Sequence, residues 1–184
     1  MDHEGHHSAD TLARSILLAG AAVLLTYLAT GCGGSDSTGP ILIQPAGNLV
    51  SMTDCKTWGI GLGRGTSPDQ DCIQYSYRGR TLDLTHVNAA LNCCPEFETR
   101  VTVSSDSIFI TEDEVEGGCH CLCLYDLQYE IRHLPAGTYR VIVSQEYLQP
   151  GDQPLEFTID LRASPSGEYC VTRDHYPWGK KSQG

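Results

Sequence analysis

The chain reads as an all-β protein: an antiparallel β-sandwich stapled by disulfides, placed after an N-terminal signal helix and a flexible linker. Three observations predict this. From about Ile41 onward apolar residues recur two apart, in Val101/Val103, Ile108/Ile110, Leu127/Tyr129/Ile131, Tyr139/Val141/Val143 and Leu155/Phe157/Ile159/Leu161, the period that lines one face of a strand. Turn-forming clusters separate the runs, namely Ser104-Ser105-Asp106-Ser107, Pro135-Ala136-Gly137, Gln149-Pro150-Gly151-Asp152 and Pro165-Ser166-Gly167, where Gly and Pro supply the dihedrals a turn needs. Nine cysteines in 184 residues exceed ordinary usage yet fall short of the roughly 8–10% of a scaffold held by disulfides alone, so they supplement an apolar core. Short strands spaced in this way, with no long amphipathic helix among them, make a sandwich or a barrel.

Taken in order, the first element is the uncharged run ILLAGAAVLLTYLA at 16–29. It is shorter than the roughly 20 residues of a spanning helix and reads as the apolar core of a signal peptide. Leu28-Ala29-Thr30-Gly31-Cys32 follows, and then a small, polar stretch to Pro40 of the kind that makes a linker. These residues resemble the export signal of a bacterial lipoprotein. The resemblance implies cleavage before Cys32, removal of 1–31, acylation of Cys32 by fatty chains such as palmitate, and a linker at 32–40. It also implies a location in the bacterial cell envelope, with the membrane as partner through the lipid anchor. Each buried methylene contributes about 0.8 kcal/mol, so two or three chains hold firmly without a spanning helix. In the leader only Arg14 is basic against Asp2, Glu4 and Asp10, so either translation starts later, near Leu12, or export tolerates this leader.

The domain is expected over 41–173, with 174–184 as a frayed tail. Residues 82–90 read either as a further strand or as one short helix ending at Asn92, and Pro95 stops whichever forms. Leu134-Pro135-Ala136-Gly137-Thr138-Tyr139-Arg140-Val141-Ile142-Val143 resembles the turn and strand of immunoglobulin-like and fibronectin-like domains. That resemblance implies an immunoglobulin-like sandwich in which Tyr125 to Arg132 is the hairpin partner of this strand and His133 to Gly137 the turn.

With Cys32 acylated, Cys55, Cys72, Cys93, Cys94, Cys119, Cys121, Cys123 and Cys170 remain. An even set in an oxidising compartment indicates four disulfides, among 105 possible connectivities. On an extended strand Cys119, Cys121 and Cys123 share one face with parallel Cβ vectors, a poor geometry for bonding one another. Their partners therefore lie elsewhere, and Cys93-Cys94 is the expected facing segment. Continuing the parity through Tyr125, Leu127, Tyr129 and Ile131 places the row on the inward face. The same constellation, with His86 as an additional ligand, admits a second reading as a sulfur-rich site for zinc or Cu(I). A third is an extracytoplasmic thiol enzyme, which requires an unpaired, activated cysteine. His120 alternates with the cysteines and faces outward.

Other patterns are weaker. The run Gly59 to Gly65 lacks the following helix and the Gly-Lys-Ser/Thr of a phosphate loop. Glu112-Asp113-Glu114-Val115-Glu116 lacks the spaced ligands of a calcium loop and reads as a solvated surface loop. Asp69 and Asp71 are close in sequence, but an acid/base pair is defined by spatial separation and a pocket. Of Trp58, Trp178, Tyr75, Tyr77, Tyr125, Tyr129 and Tyr147, at least one same-face tyrosine pair, Tyr75/Tyr77 or Tyr125/Tyr129, should point into the core. The chain has 12 Lys+Arg against 23 Asp+Glu, a net charge of −11, which becomes −9 once Asp2, Glu4, Asp10 and Arg14 are removed. Such an acidic surface excludes nucleic acid, whose recognition needs clustered cations. No catalytic residue and no cofactor other than the alternative zinc or copper are expected. The reading is a lipid-anchored, non-catalytic binding or structural module whose partner is an envelope protein or glycan.

Overall fold

A computed structural model of the chain describes residues 43–56, 66–117 and 119–179. The signal segment, Cys32, the linker, Trp58, the run Gly59 to Gly65 and residues 180–184 lie outside the described residues. The described part is all-β and contains no helix. Its strands are β1 (Ala46–Met52), β2 (Gln70–Arg78), β3 (Thr81–Asn92), β4 (Pro95–Ser104), β5 (Ser107–Gly117), β6 (Leu122–Arg132), β7 (Thr138–Gln145), β8 (Leu155–Asp160) and β9 (Ser166–Thr172). They form one sheet in the order β8-β7-β5-β4-β1-β6-β3-β2-β9. Every pairing is antiparallel except β5 with β7. The sheet curls until its two edges meet: Phe157 of β8 stacks on Tyr169 of β9 at 4.7 Å, and Gln153 Nε2 donates to the Tyr169 hydroxyl.

Inside lies a core of alternating residues from seven strands, among them Ile73, Leu82, Leu84, Ile110, Leu127, Tyr129, Ile131, Val141, Leu155, Ile159 and Val171. The apolar spacing in the sequence is realised there, strand by strand. Tyr125 and Tyr129 are the tyrosine pair that is fully buried, while Tyr75 and Tyr77 pack half-buried against the same core. β1 meets β4 at a single register pair, Gly47 with Val101. A Cβ on Gly47 would sit 2.5 Å from Val101 Cγ1, so glycine is what lets the strands close there.

Four expectations need correction. The hairpin of Tyr125–Arg132 with the Leu134 strand does not form, because both edges of β6 are already hydrogen-bonded, to β1 and β3. The connection instead crosses the end of the sheet: Leu134 is buried, its N–H donates to Arg80 O, and β7 pairs with β5 and β8. The acidic run is no surface loop but part of β5, with Glu112 buried. The 174–179 part of the tail is packed rather than frayed, since Trp178 is buried and donates its Nε1–H to Asn88 O at 2.7 Å. Finally, of the cysteine row only Cys123 lies within β6. Cys119 and Cys121 precede the strand, and Cys121 is exposed. Residues 82–90, open between strand and helix, are strand. A bulge at Asn88, whose φ is 66°, shifts the register between Val87 and Ala89.

Candidate functional site

Two clusters stand out: a buried ion network inside the sheet, and the sulfurs at one end of β6. The network follows from strand parity. Each inward apolar row meets a polar side chain two residues away: Ile73 is preceded by Asp71, and Leu84 leads to His86, Ile110 to Glu112, Val143 to Gln145 and Val171 to Arg173. Antiparallel and parallel register bring these five positions to one level of the interior, where Asp71, His86, Glu112 and Arg173 are all at most 2% exposed.

His86 is the centre. Its Nδ1 lies 2.8 and 2.9 Å from the Glu112 carboxylate oxygens, and its Nε2 lies 2.8 Å from Asp71 Oδ1. Burial alone would push the imidazolium pKa down, but the carboxylates of Glu112 and Asp71 outweigh it and raise the group from 6.5 to about 10. Both ring nitrogens therefore donate. Asp71 takes two further bonds on Oδ2 from Arg173, through Nε at 3.0 Å and Nη2 at 2.8 Å, and one from Gln145 Nε2 at 3.0 Å. Burial would raise the Asp71 carboxyl, yet His86, Gln145 and Arg173 together hold it below its ordinary value. Tyr129 donates its hydroxyl to Glu112 Oε1 at 2.8 Å. Desolvation and the adjacent Glu112 carboxylate raise its pKa, so the phenol stays neutral.

Two cations thus meet two anions, and Arg173 Nη1 also donates to Gln153 O at 2.6 Å while its guanidinium lies 5.5 Å from the Trp178 ring. Among the described residues the hydrogen-bond partners of His86 are Glu112, Asp71 and Gln145. The arrangement clasps β2, β3, β5, β6, β7 and the residue after β9 across the interior. Asp69 lies in the loop before β2, and no contact pairs its carboxylate with that of Asp71. Its Oδ1 and Gln145 Oε1 are buried without a hydrogen-bond partner among the described residues.

The eight cysteines after Cys32 form four disulfides: Cys55–Cys123, Cys72–Cys170, Cys93–Cys121 and Cys94–Cys119. The expected facing of Cys93-Cys94 against the cysteine row is realised for Cys119 and Cys121, while Cys123 takes Cys55 on its other side. His86 is not part of the sulfur cluster, because the bulge at Asn88 lies between it and Cys93 and its ring is held in the ion network. His120 is exposed, as its alternation implied. Asn92 fastens the loop: its N–H donates to a Glu114 carboxylate oxygen, its Nδ2 to Cys119 O at 2.7 Å, and its Oδ1 accepts from Cys94 N at 3.0 Å. Cys72, Cys170 and Glu168 also gather on the β2–β9 pair, but the two sulfurs are bonded to each other and neither is a thiolate ligand.

A pocket of about 570 Å³ lies against Lys56, Asp69, Leu124, Tyr176, Pro177 and Trp178, with Cys123 in its wall. Lys56 Nζ reaches Asp126 Oδ1 and Asn88 Oδ1, and the Tyr176 hydroxyl donates to Leu122 O. Sequence reasoning missed the ion network altogether. Its signal was present as polar residues at inward parity, but that parity is recognisable only once the inward face of each strand is known. Compared with protein-family models, with curated proteins and with solved structures, the chain matches none.

Proposed function

We propose that the chain is a lipid-anchored module of the bacterial cell envelope, a disulfide-stapled immunoglobulin-like sandwich that binds or scaffolds rather than catalyses. The observation that carries the reading is the cysteine pairing. Eight of the nine cysteines satisfy one another in four disulfides, which fits an oxidising compartment, and the ninth, Cys32, is the residue at which the lipoprotein resemblance puts acylation. The sandwich reading is supported by the sheet order, which splits into β9-β2-β3-β6-β1 and β4-β5-β7-β8 at the single-pair seam of Gly47 and Val101. His86 of β3 and Glu112 of β5, from the two halves, meet across the interior. A structural role for the buried ion network is supported by the hydrogen bonds that tie His86 to Glu112 and Asp71, and Asp71 to Arg173 and Gln145. The pocket beside Trp178 is the place where an envelope protein or glycan would be met.

The soft-metal reading, with zinc or copper at Cys93, Cys94, Cys119, Cys121 and Cys123, requires prior reduction of three disulfides. It is separated from the first by thiol mapping and elemental analysis of protein isolated from the envelope. For the anchor, detergent phase partitioning and metabolic labelling with a fatty acid are compared for the full chain and Cys32→Ser. The expected result is a labelled, detergent-phase wild type and an unlabelled, aqueous variant. An unlabelled, aqueous wild type, or a variant that still takes label, overturns the proposal.

A further inference from the structure

Cys123 has a sulfur-bearing neighbour on each flank. On one side β3 pairs with β6 through Leu91 with Cys123 and Asn92 with Leu122, and the ladder continues with Cys93 N donating to Cys121 O at 3.0 Å. Cys93 is therefore opposite Cys121 and diagonal to Cys123, a position within reach across a strand pair. On the other side the chain leaving β1 keeps running along β6, with Thr53 N donating to Asp126 O and Lys56 N to Leu124 O, which sets Cys55 beside Cys123. The consequence is a row of four sulfurs. Cys121 is bonded to Cys93, Cys93 Sγ lies 3.3 Å from Cys123 Sγ, and Cys123 is bonded to Cys55.

We propose that this row is a thiol–disulfide exchange relay whose reductant is a dithiol, and that reduction entering at Cys121 leaves as a free thiol at Cys55. Cys121 is the exposed member of the row, whereas Cys93, Cys123 and Cys55 are half-buried. A dithiol attacks Cys121 Sγ, forms a mixed disulfide and expels the Cys93 thiolate. That thiolate cannot drift away. Asn92 beside it is tied to Glu114, Cys119 and the Tyr125 hydroxyl, and the neighbouring Cys94–Cys119 bond keeps the loop closed. Held in contact with Cys123, it attacks that sulfur, the new bond Cys93–Cys123 forms, and Cys55 departs as a thiolate that takes up a proton. The second thiol of the reductant then displaces Cys121. One dithiol becomes one disulfide, two electrons and two protons enter the protein, and the thiols stand at Cys55 and Cys121. β3 remains tied to β6, while the segment after β1 loses its covalent tie.

The test uses the full chain purified oxidised from an oxidising compartment and treated with one equivalent of dithiothreitol. Free thiols are then trapped with N-ethylmaleimide at low pH, and the peptides are mapped by mass spectrometry, with any label on Cys32 scored separately. The expected product carries two labels, on Cys55 and Cys121, and a Cys93–Cys123 cross-link. Labels on Cys93 and Cys121 with Cys55–Cys123 retained, or a first pair of labels on any other two cysteines, overturn the proposal. The Cys121→Ser variant poses the same question without reductant. Cys93–Cys123 with a single free thiol at Cys55 is expected, and a free thiol at Cys93 overturns the proposal. If that variant fails to fold, the one-equivalent reduction of the wild-type chain decides.

Discussion

Raising the pH through the alkaline range should unfold this domain by discharging His86. The folded group titrates near 10 against 6.5 in the unfolded chain. Because the folded value is the higher one, the stabilisation is complete below pH 6.5 and is lost progressively as the pH climbs toward 10. Between those limits the native state holds one proton more than the unfolded state, so the unfolding free energy should fall by about 1.4 kcal/mol per pH unit, roughly 5 kcal/mol in all. A loss of that size is comparable with the entire stability of an ordinary domain. All eight described cysteines are in disulfides, so none of them adds thiol ionisation to the slope. Urea unfolding of the oxidised protein, followed by tryptophan fluorescence at half-unit steps from pH 6 to 9.5, measures it. Comparison with the double variant His86→Leu/Glu112→Leu, which removes a cation and an anion together, isolates the His86 contribution and should flatten the curve. A wild-type free energy that does not change between pH 7 and 9, or a histidine nitrogen resonance that titrates near 6.5, would refute the argument. On the acid side the sign reverses. The depressed Asp71 carboxyl contributes stability above 3.8 that is lost as the pH falls through its lower folded value.

Arg173→Met leaves Asp71 without its two guanidinium bonds and strips Gln153 O of a donor. The expected loss is about 3–5 kcal/mol in urea unfolding, the usual consequence of leaving a buried charge unpaired. Trp178→Ala removes a ring that is 1% exposed and its bond to Asn88 O. It should lose about 3–5 kcal/mol and weaken the near-ultraviolet circular dichroism.

Much of the architecture was already written in local chemistry. Rows such as Leu127, Tyr129 and Ile131 alternate because one face of a strand is buried and the other is not, and Ser104 to Ser107 marks a turn because those residues accept its dihedrals. The expectation that Cys93-Cys94 faces the cysteine row is realised for Cys119 and Cys121, though those two precede β6 instead of lining its inward face, and which sulfur takes which was not legible. Strand order was not legible. The residues of β6 and β7 look like an ideal hairpin, and only the occupation of both β6 edges by β1 and β3 forbids it, a fact of long-range pairing. The same holds for Cys55, which follows β1 and reaches Cys123 only because β1 adopts β6 as a neighbour.

The polar interior shows the division most clearly. Asp71, His86, Glu112, Gln145 and Arg173 are separated by up to 102 positions in the chain, and each taken alone is an ordinary polar residue of the kind that belongs on a surface. Sequence alone determined that the strands alternate and that none of the familiar catalytic motifs is present, because those properties depend on neighbours within a few residues, whereas it left disulfides and a metal site as open readings of the cysteines. The closure of the sheet decided which polar side chains face inward, which carboxylates surround His86 and which sulfur lies beside which. Those depend on register between distant strands, and a shift of one residue would have turned each of them to the opposite face.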